Sequence, residues 1–114
     1  MAKDDYGVIA YKVLAYYYAC IKDGVNGNVT KAQELAGCND LYFTAVIKDL
    51  TARGLLAGEV VYSWGEEVVF AELRITIDGT VYIEENSTMT KVRHALGKAF
   101  EVVTEAAVKS TALL

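Results

Sequence analysis

The sequence predicts an α+β fold, and three observations carry that prediction. Helix-spaced apolar residues recur through residues 1–53, two β-branched runs flank a glycine after Gly54, and helical spacing then returns to the end of the chain. With 114 residues, 54% hydrophobic against 23% charged, the chain suffices to fill one core and is too short for two ordinary ones. That composition also excludes disorder, and the absence of proline excludes a polyproline segment. A single domain over residues 1–114 is expected, with residues 1–86 carrying helices, hairpin and a short helix, and residues 87–114 a C-terminal amphipathic helix.

The first helix should begin after Asp4 or Asp5, either of which suits an N-cap, and should stop near Lys22-Asp23-Gly24. Ile9, Val13, Tyr16 or Tyr17, and Cys20 form one apolar stripe; Tyr11, Leu14 and Tyr18 form another. A helix apolar on most sides must be covered on most sides, so more than one layer should pack on it. After the turn Gly24-Val25-Asn26-Gly27-Asn28, Thr30 and Gln33 fit a capping box for a short second helix ended by Gly37. Asn39 can cap a third helix from Asp40 to Arg53, with Phe43, Ile47 and Leu50 on one face.

Val60-Val61-Tyr62-Ser63 and Val68-Val69-Phe70 read as a hairpin around Trp64-Gly65-Glu66-Glu67. Thr76 is the expected cap of a short fourth helix over residues 77–85. The final helix should run from about Thr88, with Met89, Val92, Leu96, Ala99, Val103 and Ala106 spaced 3, 4, 3, 4, 3 as a heptad seam. Ser110 and Leu113 would extend it weakly. Three helices and then a hairpin is the order of a winged helix-turn-helix, and Gly37-Cys38-Asn39 has the length and glycine of its turn. The expected architecture is therefore a winged helix with additional C-terminal helices.

Phe43, Ile47, Leu50 and Gly54-Leu55-Leu56, followed after the hairpin by Ile75-Thr76-Ile77-Asp78-Gly79, Tyr82-Ile83 and Asn86, carry a resemblance to a known family. Over roughly residues 6–105 the chain resembles the YjcQ-like family of small winged-helix proteins, found in Gram-positive bacteria and their prophages. The resemblance implies a winged-helix domain; a DNA-binding regulatory role is the usual inference from such a fold, by analogy.

Charge points in the other direction. The chain carries a net −4, and residues 54–86 hold Arg74 against seven acids, net −6, whereas residues 87–114 are net +2. That is the wrong sign for a generic nucleic-acid or membrane coat. Residues 6–21 are apolar apart from Lys12, but the run is 16 residues long and rich in tyrosine. A bilayer span needs roughly 20. With no basic leader and cleavage site, a reducing cytoplasm is the expected setting. There a Cys20–Cys38 disulfide is allowed by the sequence but disfavoured. Asn28-Val29-Thr30 and Asn86-Ser87-Thr88 match a glycosylation sequon, yet read better as helix entries.

Two binding readings remain. If the protein reads DNA, the third helix enters the major groove, and Lys31, Tyr42, Thr44, Lys48 and Arg53 are the candidate contacts. Asp49 beside Lys48, and Glu66 and Glu67 where a wing would want bases, oppose it. If it binds protein, Trp64, Glu66 and Glu67 are the candidate contacts. Trp64 either folds back over the sheet or stands out as an anchor for a basic partner. The seam through Val92, Leu96 and Val103 should pack on the first helix, and a homodimer through what remains is also expected.

The tyrosines of the first helix have only Lys12 beside them, so they read as core and not as a base-stacking platform. Catalysis finds no support. His94 has no nucleophile pattern to serve, Gly97-Lys98-Ala99 lacks the flanks of a phosphate loop, and adjacent glutamates on a strand point apart. Two cysteines and one histidine, scattered, make a zinc site implausible. No cofactor or small-molecule substrate is inferred. The expectation is a non-enzymatic protein-interaction or accessory regulatory module, with sequence-specific transcriptional regulation as the alternative.

Overall fold

The computed structural model of the chain describes residues 2–62 and 68–112. The expected hairpin tip, with Trp64, Glu66 and Glu67, lies outside the described residues, as does Leu113. The elements are α1 (Tyr6–Asp23), α2 (Val29–Ala36), α3 (Asp40–Ala52), β1 (Leu56–Tyr62), β2 (Val68–Ile75), α4 (Ile77–Glu85) and α5 (Ser87–Ala112). Among the described residues, five helices and one two-stranded antiparallel hairpin make the fold α+β, in the order a winged helix with C-terminal helices requires.

The central element is α1. Ile9, Val13, Leu14 and Tyr16 are fully shielded and Tyr17 and Cys20 nearly so, because α2, α3, α4, α5 and the hairpin all pack around this helix. Both predicted stripes are covered. Tyr16 anchors two neighbours at once: its hydroxyl accepts from the Asn28 N–H at 2.8 Å and pairs with Thr111 Oγ1 at 2.8 Å. Cys20 and Cys38 are free thiols.

Local sequence sets the helix ends. Asn28, Asn39 and Thr76 accept from the N–H groups of Lys31, Tyr42 and Gly79, so each satisfies a donor that the helix itself leaves open. Asn86 Oδ1 does the same for Thr88 and Met89 at the start of α5. Both sequon asparagines therefore serve as helix caps. The Thr30–Gln33 capping box does not form. The Asn28 side chain already occupies the capping position, Thr30 falls inside the first turn, and Gln33 instead donates to the Cys38 carbonyl and to Asp40 Oδ1.

The strands extend further toward their base than the β-branched runs alone. Leu56 pairs with Ile75 in register, and β2 bulges at Glu72 opposite Gly58. Phe70 packs edge-on against Phe43, ring centroids 6.1 Å apart, which seats the sheet on α3. At the base, Thr76 Oγ1 donates to the Gly54 carbonyl at 2.6 Å, tying the start of α4 to the end of α3. Gly79 is required there, because a Cβ would run into the Leu55 carbonyl.

The largest departure from expectation is α5. Gly97 adopts φ 72° and ψ −176°, which breaks the helix inside its length. Met89 and Val92 are buried and Leu96 half-buried, as the seam requires, but Ala99, Val103 and Ala106 are exposed. Past the break the buried positions are Thr104, Val108 and Thr111, with Phe100 and Ala107 half-buried. A heptad seam presupposes a continuous helix. The turn at Gly97 rotates the distal segment, so Phe100, one residue past Ala99, meets Tyr11 with ring centroids 6.1 Å apart.

Candidate functional site

The helix-turn-helix is α2, Gly37-Cys38-Asn39 and α3, with the three turn residues where the sequence placed them. Phe43, Val46, Ile47 and Leu50 face the core, so helical geometry aims Leu41, Ala45, Lys48 and Ala52 outward. All four are exposed, Leu41 by 84%. The outward row of the third helix is thus leucine, alanine, lysine, alanine, with exposed Asp49 beside it.

One flank of α3 is closed by the chain's own N-terminus. Tyr6 stacks on Tyr42 with centroids 5.7 Å apart and planes 21° from parallel. The Tyr6 hydroxyl donates to Asp49 Oδ2 at 2.5 Å, and the Tyr42 hydroxyl donates to the Asp4 carbonyl at 2.5 Å. Burial against the neighbouring ring and then the Asp49 carboxylate push the Tyr6 phenol up to about 12. Tyr42 is consequently half-buried and committed, and acidic Asp4 and Asp5 stand next to it.

The other predicted contacts are dispersed. Lys31 lies on α2, 3.7 Å from Glu34. Thr44 is half-buried, Lys48 is exposed on the outer row, and Arg53 sits at the C-cap of α3. The structure therefore brings Lys48 alone of the five onto the outer row. Sequence reasoning passed over Leu41; its signal was an exposed leucine two residues after the Asn39 cap, off the Phe43–Ile47–Leu50 face. Of the seam residues, Val92 and Leu96 pack within the chain and Val103 does not, being 53% exposed.

A concavity of about 380 Å³ opens between α1, α4 and α5 and is lined by Tyr11, Tyr18, Lys22, Glu84, Arg93 and Phe100 among others. Its polar rim is largely committed: the Tyr18 hydroxyl donates to Glu84 Oε1 at 2.9 Å, and Lys22 Nζ lies 4.0 Å from the Tyr18 ring centroid. Burial pushes the Cys20 and Cys38 thiols upward, so neither is an activated thiolate at neutral pH. His94 is exposed on α5. Among the described residues no group of three or more His, Cys, Asp or Glu side chains converges as a metal site would, and no helix is long and apolar enough to cross a membrane.

Comparison with known proteins agrees with the resemblance carried by the third helix and its exit. The family model described as YjcQ protein matches residues 11–101, from within α1 to just past the break in α5, so the chain belongs to the YjcQ family. No curated protein and no solved structure matches it.

Proposed function

We propose that this member of the YjcQ family is a winged-helix module that acts by binding protein, using the exposed face of α3, and not by catalysis. The observation that carries the reading is the outer row Leu41, Ala45, Lys48 and Ala52. Base readout relies on Arg, Lys, Asn and Gln aimed at base edges, and this row supplies one lysine. A leucine exposed by 84% in the same row contributes little in a groove of phosphates and bases, but it is a ready anchor for an apolar pocket on a partner.

Electrostatics support the same choice. Asp40 lies at the start of α3, Asp49 and Asp4 line its closed flank, and Glu34 pairs with Lys31. Phosphate-driven affinity needs several unopposed bases. The acidic stretch of residues 54–86 adds a repulsive field for DNA and an attractive one for a basic protein surface.

The deciding experiment titrates fluorescent random-sequence duplex DNA with the protein at roughly 50 and 200 mM salt, the range over which phosphate contacts weaken steeply. No saturable binding at either salt is expected. Submicromolar binding that disappears at the higher salt and in Lys48→Ala would overturn the protein-binding reading and favour a DNA-reading regulator.

A further inference from the structure

Beyond Gly97 the residues of α5 sort onto three faces. Phe100, Thr104, Ala107, Val108 and Thr111 turn inward, where Phe100 meets Tyr11 and Thr111 bonds Tyr16. Lys98, Glu101, Glu105 and Lys109 form a charged, exposed side. The third face, Ala99, Val102, Val103 and Ala106, is apolar and exposed, Val102 by 65% and Val103 by 53%. Valine is a poor helix former, so two adjacent exposed valines in mid-helix contribute nothing to the isolated chain.

We propose that this face pairs, antiparallel and about a two-fold axis, with the same face of a second copy of the chain. A two-fold contact demands a surface complementary to itself, and this one reads the same in both directions. Reversal about the Val102–Val103 bond lays Ala99 on Ala106 and Val102 on Val103, with alanines at both ends to let the helices approach. The charges agree with that register. Lys98 and Glu105 lie on the same edge of the face, and reversal brings Lys98 of one copy within a helical turn of Glu105 of the other, twice by symmetry. The exposed side balances two lysines against two glutamates, so the copies meet without local repulsion although each chain carries −4. The seam legible in the sequence thereby serves both purposes: Met89, Val92 and Leu96 pack within the chain, and Ala99, Val103 and Ala106 pack between chains.

A single helix pair is smaller than the interface of a permanent dimer, so the association is weak and reversible, with a Kd on the order of 10–100 µM. It uses no residue of α3, so its failure and that of the α3 reading are separate results. The test is sedimentation equilibrium of the full chain from roughly 1 µM to 1 mM, a range that brackets such a Kd. The wild type should show monomer–dimer exchange and Val103→Glu should remain monomeric. Lys98→Glu should weaken pairing about tenfold, and Lys98→Glu with Glu105→Lys should restore it to within a few-fold. These positions are exposed, so circular dichroism should confirm an unchanged fold. A wild type monomeric throughout the range, a dimer indifferent to Val103→Glu, or a charge swap that fails to restore pairing would each overturn the proposal.

Discussion

Helix α1 and the part of α5 beyond Gly97 have similar apolar patterns and different fates. Both carry apolar residues on more than one side. In α1 both apolar stripes are covered and Ile9, Val13, Leu14 and Tyr16 are fully shielded, with exposure confined to its two ends at Tyr6, 44%, and Ile21, 52%. In distal α5 the Phe100–Thr104–Val108 side is covered and the Ala99–Val103–Ala106 side is left in solvent. Apolar periodicity states how many faces a helix has to hide; it does not state which neighbour hides them. For α1 the answer is the chain itself. For distal α5 one face goes to α1, and the proposed second copy takes the other.

The sharpest way to break this comparison uses two adjacent tyrosines of α1. Tyr16 and Tyr17 are both buried and their rings meet edge-on at 5.1 Å, but their hydroxyls differ. The Tyr16 hydroxyl joins α1 to Asn28 and to Thr111 of distal α5, whereas the Tyr17 hydroxyl has no hydrogen-bond partner among the described residues. Tyr16→Phe strands the Asn28 N–H and should cost about 1–3 kcal/mol in urea unfolding. Tyr17→Phe removes an already unsatisfied group and should change stability by less than about 0.5 kcal/mol, or raise it. Equal losses for the two variants would show that Tyr16 does not tie distal α5 to the core.

Gly97 decides whether distal α5 has its own register, and its substitution has a sign that discriminates. Were the helix continuous, Gly97→Ala would be stabilising by about 1 kcal/mol, since alanine is the better helix former. At φ 72° and ψ −176°, a region that side chains avoid, the same change should instead cost about 1–2 kcal/mol. A Cβ there meets open space, so the cost is backbone strain and not a clash. A stabilised Gly97→Ala protein with higher helicity would restore the continuous seam and remove the outward face.

Much of the fold was legible because its signals are local. Asn39 and Thr76 cap the helices that their positions predict, Gly37-Cys38-Asn39 is the turn, and Val60-Val61-Tyr62 and Val68-Val69-Phe70 lie in the two strands. The misses have physical causes. Asn28 pre-empts Thr30 because either asparagine or threonine can fill the same N-terminal role, and spacing alone does not rank them. Gly97 does not read as a helix break in the sequence, because apolar spacing of 3 and 4 continues on both sides of it. Of the candidate site, Lys48 was legible as an outward residue of α3, but the closure of the flank was not. Tyr6 and Asp49 are 43 positions apart in sequence, and no local pattern announces that the first residue of α1 will cover a side of α3.

That closure supplies the smallest expected effect and a place where the covered helix reaches the candidate site. The folded state holds the Tyr6 phenol up to about 12, above its ordinary value near 10, through burial and the bond to Asp49. An acid whose folded pKa is raised is favoured in its protonated form. Its contribution is therefore fully present below about pH 10 and is lost as pH climbs toward 12. Tyr11, Tyr16 and Tyr17 shift in the same direction through burial, so the whole protein should weaken across that window. Tyr6 is 44% exposed, so water screens its share and the Tyr6→Phe protein should differ only slightly. Urea midpoints measured from pH 8 upward should fall a little less steeply in Tyr6→Phe than in the wild type above pH 10. Identical slopes would mean that Asp49 is not held by Tyr6, which would leave that flank of α3 open and make Tyr42 a surface that a partner can reach.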